Sequence, residues 1–221
     1  MKKIILSLIA IAFSAGVFAQ TPINEGTITY TVEWEVPAQM QQMASMFPKE
    51  LTVYFKGDSS VVNQKSQMST SNVIMNSKTD FVRLLLDIPM MSKKYVINFT
   101  PADLEEMKEK WPEYELKAGT ETQTIAGYKA TKYTITEKKS NKTSEGWFTK
   151  DIATPANSLT QFFDKSNGVP LKFDSFQSGL AIHATVKEIK QGAIPAGAFA
   201  TPAGYETITF DQLKGMMGGR Q

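Results

Sequence analysis

From Thr27 to Val36 the chain alternates without a break. Ile28, Tyr30, Val32, Trp34 and Val36 fall on one side, and Thr27, Thr29, Thr31, Glu33 and Glu35 on the other. Successive side chains of an extended strand point to opposite faces, so this run is a half-buried strand with one solvated row. A lone strand buries nothing, so the chain must supply partners. The period returns at Leu51, Val53 and Phe55, at Tyr95, Ile97 and Phe99, and at Thr131, Tyr133 and Ile135. Leu171, Phe173 and Ser175, followed by Ile182, Ala184 and Val186, read as a hairpin. In the run Val82, Leu84, Leu86, Ile88 the other face is apolar too, through Phe81 and Leu85. Such a strand is buried on both sides, or has one face on a core and one in a cavity.

Two segments change period. Met40, Met43, Met46 and Phe47 recur at helical spacing between Pro37 and Pro48, which predicts a short helix with one apolar face. Thr100-Pro-Ala-Asp103 is a helix start: Thr100 caps, Pro101 takes the first helical position and Asp103 sits at the positive end. Leu104, Met107, Lys108 and Trp111 form the stripe of that second helix, and Pro112 stops it. Asp211 to Met217 reads as a helical turn. The fold class is therefore mainly β (α+β). It is an antiparallel curled sheet forming an open half-barrel, with one or two helices covering it.

Two alternating runs meet at Gly127, within Thr124-Ile-Ala-Gly-Tyr-Lys-Ala-Thr-Lys-Tyr133. The glycine predicts a bend or bulge at a strained or closely approached backbone site. Other recurring pieces are Gly26-Thr-Ile-Thr-Tyr30, Tyr54-Phe-Lys-Gly-Asp58, Trp147-Phe-Thr-Lys-Asp151, Gly168-Val-Pro-Leu171 and Phe199-Ala-Thr-Pro-Ala-Gly-Tyr205. In this order they resemble an uncharacterised family of secreted and periplasmic bacterial domains. More remotely, the chain resembles the lipoprotein carriers LolA and LolB. Many members carry a cysteine where this chain has Ala130, so any role for that thiol is absent. The resemblance implies a lipoprotein-carrier-like open barrel whose concave face is covered by helices.

Met1-Lys-Lys3, the apolar run Ile4 to Phe13 and the small residues of Val17-Phe-Ala19 have the form of a secretory leader over residues 1–19. The apolar run is too short to span a membrane comfortably and has no basic residues beyond it, so no stable transmembrane anchor is expected. Residues 20–221 then form one domain, long enough for a sizeable core. Without Lys2 and Lys3, the 24 basic residues fall level with the 22 acidic ones. That balance gives no reason to expect a nucleic-acid partner. The absence of cysteine excludes disulfides and thiol chemistry.

Candidates for chemistry are few. His183 is the single histidine and lies between Ile182 and Ala184. It cannot make a multi-histidine zinc site, and spacing suggests no serine or acid beside it. It reads as a strand-surface imidazole. Glu105, Glu106 and Glu109 belong to the polar face of the second helix. There is no phosphate-binding loop, dinucleotide fingerprint or zinc-protease pair. No catalytic residue, metal or cofactor is expected.

The methionines point elsewhere. There are 11, and methionine is a flexible, polarisable side chain suited to varied apolar partners. Met75 and Met107 read as core filler. Trp34, Met40, Met43, Met46 and Phe47, with Met90 and Met91 on a loop at the mouth, read as ligand-binding residues. The expected function is an exported, non-enzymatic binding protein for a lipid or other apolar ligand in the cell envelope, periplasmic or secreted. The alternative is an envelope protein-interaction or sensing module that takes a partner segment in its groove. Export with cleavage after Ala19 predicts a mature chain beginning at Gln20. Intact-mass measurement on periplasmic protein checks this, and a mass retaining the leader refutes it.

Overall fold

A computed structural model describes residues 21–177 and 180–218. The expected leader and its cleavage site lie outside the described residues. Among the described residues fourteen strands form in chain order. They are β1 (Thr21–Pro22), β2 (Glu25–Trp34), β3 (Glu50–Lys56), β4 (Ser59–Lys65), β5 (Thr70–Asn76), β6 (Phe81–Ile88) and β7 (Lys93–Asn98), followed by β8 (Tyr114–Ile125), β9 (Tyr128–Glu137), β10 (Thr143–Thr149), β11 (Ile152–Ala153), β12 (Val169–Gln177), β13 (Leu180–Gln191) and β14 (Glu206–Thr207). Two α-helices accompany them, α1 (Pro101–Glu109) and α2 (Phe210–Gly218).

Twelve strands form one curled sheet in the order β14-β7-β6-β5-β4-β3-β2-β13-β12-β10-β9-β8. Its two edges do not pair, so it is not a closed barrel. Ten of its eleven pairings are antiparallel, and β14 joins β7 in parallel. β1 and β11 make a separate parallel pair. β2 lies near the middle and joins the meander β3–β7 to the strands that follow α1, through β13.

The alternation on β2 holds: Ile28, Tyr30 and Val32 are buried, while Thr31 and Glu33 are exposed. They enter one core with Leu51, Val53, Phe55, Phe148, Leu171, Phe173, Ile182 and Ala184. The stretch after Pro155 is neither helix nor strand but a loop folded into the concavity. Its Leu159 and Phe163 are buried in the same core. Phe163 packs edge-on to Phe148 and Phe173 at 5.4 and 5.5 Å and stacks on Tyr114 at 5.3 Å. Each such ring pair adds roughly 0.5–1.5 kcal/mol beyond area burial. The loop's polar groups are satisfied by the sheet. Ser60 donates to Ala156 O and Ser175 to Leu159 O, both at 2.9 Å. Asn157 Oδ1 accepts from Leu159 N, and the Asn157 side chain also bonds the buried Tyr30. Buried polar atoms left unpaired would cost about 1–3 kcal/mol each, so this network is a condition for a loop lying inside.

On β6 the second reading of the doubly apolar strand is the one seen, with one face on a core and the other on a cavity. Leu85 is buried on the convex side with Val61, Ile74 and Val96, under Ala198, Phe199 and Tyr205 of the irregular C-terminal stretch. Val82, Leu84, Leu86 and Ile88 face the concave side. The C-terminal stretch wraps the β7 edge, from Tyr205 on the convex face through β14 to α2, whose Leu213 packs with Tyr95, Ile97 and Ile208 on the other side.

Two expectations change. The Ala38–Met46 segment is a 3-10 helix rather than an α-helix, and none of its residues is buried. It lacks the buried apolar contact that Leu104 gives α1 and Leu213 gives α2, two α-helices of the same length, and packing of such a face is what stabilises a short α-helix. Gly127 is the second residue of a two-residue hairpin loop, since Ile125 pairs with Tyr128. Ala126 and Gly127 both have positive φ, 50° and 86°, as a turn matching strand twist requires. An added Cβ at Gly127 meets nothing within 4 Å, so the site is conformationally demanding but not crowded. Gly168 is both: φ is +97°, and a Cβ would lie 2.2 Å from Thr149 O. Gly127→Val is therefore expected to cost about 1–2 kcal/mol, and Gly168→Ala more than about 2 kcal/mol because backbone must move as well. Chemical denaturation of both variants checks the order, and a smaller loss for Gly168→Ala overturns it.

Candidate functional site

The curled sheet and its internal loop leave a cavity of about 1770 Å³. That exceeds the roughly 300–1,000 Å³ of typical small-molecule sites. One wall is apolar: Val73 and Met75 on β5, then Val82, Leu84, Leu86 and Ile88 on β6. Both α-helices cover this side. α1 contributes Leu104 and Met107, with Trp111 just beyond it, and α2 contributes Phe210, Leu213 and Met216.

α1 stands where its sequence places it. Thr100 Oγ1 accepts from Asp103 N at 3.2 Å, and Asp103 Oδ2 accepts from Thr100 N at 2.8 Å, closing a capping box. The Thr100 N–H and hydroxyl hold the Asp103 carboxyl below its ordinary pKa. At the other end the Lys139 ammonium donates to Glu109 O and Trp111 O at 3.0 and 3.3 Å. The β9–β10 hairpin thus ties down the helix terminus, where the dipole favours a cation. Trp111 meets Phe162 of the internal loop edge-on at 5.4 Å. α2 is joined to α1 by Lys214, whose Nζ lies 2.8 Å from Glu106 Oε2 and 2.8 Å from Asp211 Oδ1. These two carboxylates raise the Lys214 pKa.

The opposite wall is mixed, with Ile135, Phe162 and Ile182 set among many polar side chains. It carries Glu35, Tyr114, Glu137, Thr143, Ser144, Ser158, Gln161, Asp174 and His183. His183 sits across from Asp174 in the β12–β13 register and from Glu33 in the β13–β2 register. Its Nδ1 lies 2.7 Å from Asp174 Oδ1 and its Nε2 3.1 Å from Glu35 Oε1. The Asp174 hydrogen bond raises the imidazole pKa above its ordinary 6.5, against partial desolvation and with help from the Glu35 and Glu33 charges. Three residues whose sequence positions suggest no relation thus form one acid–imidazole–acid bridge. Only cross-strand register could have revealed it, and His183 is more than the isolated surface imidazole expected. Both ring nitrogens face carboxylates, so the bridge links the ends of β2, β12 and β13.

Nearby, the Ser140 hydroxyl and the Lys139 and Ser140 backbone N–H groups push the Glu137 carboxyl down to about 2. Burial, with the Glu137 and Asp174 charges, pushes the Tyr114 phenol up to about 12. Among the described residues no group of three or more His, Asp or Glu side chains is placed to hold a metal ion. Among the same residues no helix is long and apolar enough to cross a membrane.

The residues singled out in the sequence divide. Met90 and Met91 line the cavity and are largely exposed at 85% and 59%, so they lie at its mouth. Trp34, Met40, Met43, Met46 and Phe47 do not line it. Trp34 and Phe47 instead pack on each other at 5.0 Å, and Trp34 Nε1 donates to Pro48 O at 2.7 Å. This contact seats the 3-10 segment on the end of β2. Met75 and Met107 are cavity wall rather than core filler, because β5 and α1 turn those faces toward the void.

Residues 37–205 match the family model described as a domain of unknown function, DUF4412. The chain belongs to the DUF4412 family. The match takes in β3 through β13, α1 and the convex-face stretch up to Tyr205, so both walls of the cavity are largely built from DUF4412 sequence. No curated protein matches the chain.

The bridge generates a pH dependence. A group whose pKa is raised on folding stabilises fully below its unfolded value and loses that contribution as pH rises through the folded value. The parent's stability advantage over His183→Gln is expected to be larger near about pH 5.5 than near about pH 8.5. Urea midpoints at the two pH values check this, and an equal difference at both shows that the imidazolium charge contributes nothing.

Proposed function

We propose that this DUF4412 protein is an exported, non-enzymatic binding protein that carries a lipid or other large apolar ligand in the cell envelope. The observation that supports the reading most is the size and apolar lining of the concavity under α1 and α2. Burial of hydrocarbon against Leu84, Leu86, Met107 and Leu213 would drive binding at about 25 cal/mol per Å² removed from water. An open curled sheet with helices across its concave face is also the arrangement that the likeness to lipoprotein carriers implies, and the leader-like start of the sequence supports export.

In this proposal α1 and α2 form the cover. The ion pair between them is Lys214 with Glu106, and a pair as exposed as this contributes little. Met90 and Met91 would meet the ligand as it enters.

Organic extraction of protein purified from its own host is expected to release lipid. A lipophilic fluorescent probe should bind the delipidated protein. Leu86→Gln with Met107→Gln should weaken that binding by roughly 10-fold or more, since two polar amides would enter the apolar wall, with the thermal melt retained. Met43→Gln with Met46→Gln should leave binding unchanged. Probe binding unaffected by the wall variant overturns the cavity as the binding site. Loss of binding in the Met43/Met46 variant would restore the 3-10 segment as a cover.

A further inference from the structure

The two walls of the cavity differ in chemistry, and this bears on the class of ligand; the inference rests on the binding reading above. The β5–β6 and helical side is hydrocarbon apart from Ser69, Ser71 and the rim residue Lys110. The side made by β8–β10, the internal loop, β12 and β13 is dense in polar groups. Burial of a purely hydrocarbon ligand would strip water from those groups and return nothing, at a cost in affinity for each one left unpaired. A complementary occupant is an amphiphile lying with its tails under α1 and α2 and its head on the polar wall.

The state of the polar groups narrows the head further. The charged ones other than Lys142 are already engaged. Asp174 and Glu35 hold His183, Glu137 accepts from Lys139 N and Ser140 N, Lys139 Nζ caps α1, and Lys110 pairs with Glu106. The groups with unused hydrogen-bonding capacity are neutral. Ser158 Oγ is buried with no partner. Among the described residues the side chains of Gln161, Thr143, Ser144 and Tyr114 also make no hydrogen bond, while all of them line the cavity. Lys142, exposed on the hairpin, is the one lining lysine among the described residues whose ammonium has neither a carboxylate nor a carbonyl partner. A second anion on this wall would face Glu35, Glu137 and Asp174 at close range.

We infer that the cavity selects an uncharged, hydroxyl-bearing lipid, a neutral glycerolipid or glycolipid, whose head group hydrogen-bonds Gln161 and, once the serine hydroxyl rotates toward the cavity, Ser158 on the internal loop. Specificity of this kind comes from unsatisfied buried groups that only the right head can pair.

The test holds the tails constant and changes the head. Dioctanoylglycerol, dioctanoyl phosphatidate and dioctanoyl phosphatidylcholine compete, as monomers, with a hydrocarbon fluorescent probe on the delipidated full chain. Dioctanoylglycerol is expected to displace the probe at roughly 10-fold lower concentration than phosphatidate. Ser158→Ala with Gln161→Leu should bring the two within roughly 2-fold while probe affinity and melting are kept. Ser158→Ala alone, which removes a hydroxyl bonded to nothing, serves if the double variant melts early, and should narrow the ratio part-way. Phosphatidate binding as well as or better than the neutral lipid overturns the inference and assigns the head group to Lys142. Preferential binding of phosphatidylcholine, or a neutral preference that survives both variants, overturns it too. Failure of the probe itself to bind sinks the cavity reading, and the head-group inference with it.

Discussion

The structure depends on one loop lying inside its own sheet. Phe163 sits among Phe148, Phe173 and Tyr114, and Asn157, Ser175 and Ser60 satisfy the backbone around it. A loop in a protein interior ordinarily carries polar groups that nothing can pair. Here the sheet supplies partners at each point. Full burial of a phenylalanine contributes roughly 1.5–3 kcal/mol, and the ring contacts add to it. With this loop in place, half of the concavity is core, and the other half is left as a space that β5, β6, α1 and α2 enclose but do not fill.

The two edges of the sheet are treated differently, and this keeps the curl open. At β7 the C-terminal stretch occupies both faces and the edge itself, through Phe199 and Tyr205, β14 and α2. That covers the row of unpaired N–H and C=O groups which exposed edges otherwise present. β8 at the far edge is exposed from Lys117 to Thr124 and slips register between Ala118 and Thr122. Charged residues and a bulge of this kind discourage pairing with another chain. Closure of β7 against β8 would require removing the strap and much of the wall that supports the cavity.

Much of the secondary structure was legible in the sequence because its causes are local. The alternation on β2, the two apolar faces of β6 and the Thr100 to Asp103 cap all operate within a few residues. Gly127 was legible as a special position but not as a hairpin turn, since positive φ and steric crowding both select glycine. The stretch from Ser158 to Phe163 shows neither a helical nor a strand period in the sequence, because its buried residues answer to aromatic neighbours on distant strands. The 3-10 segment showed helical spacing, but Met40, Met43 and Met46 reach only half-burial, and the aromatic pair Trp34–Phe47 holds its end.

The sequence by itself determined that this chain makes a strand-rich domain without disulfides, which faces are apolar, and where α1 begins. These follow from backbone geometry and side-chain period, which short windows contain. Only the tertiary structure decided that Asp174, His183 and Glu35 meet, because register across three strands sets that contact. It alone decided that Ser158 is left without a partner and that Met75 and Met107 look into a void. An apolar side chain has the same signature in sequence whether it faces another side chain or an enclosed space. The difference lies in how much volume the remaining residues fill, and that is settled only when the whole chain has packed.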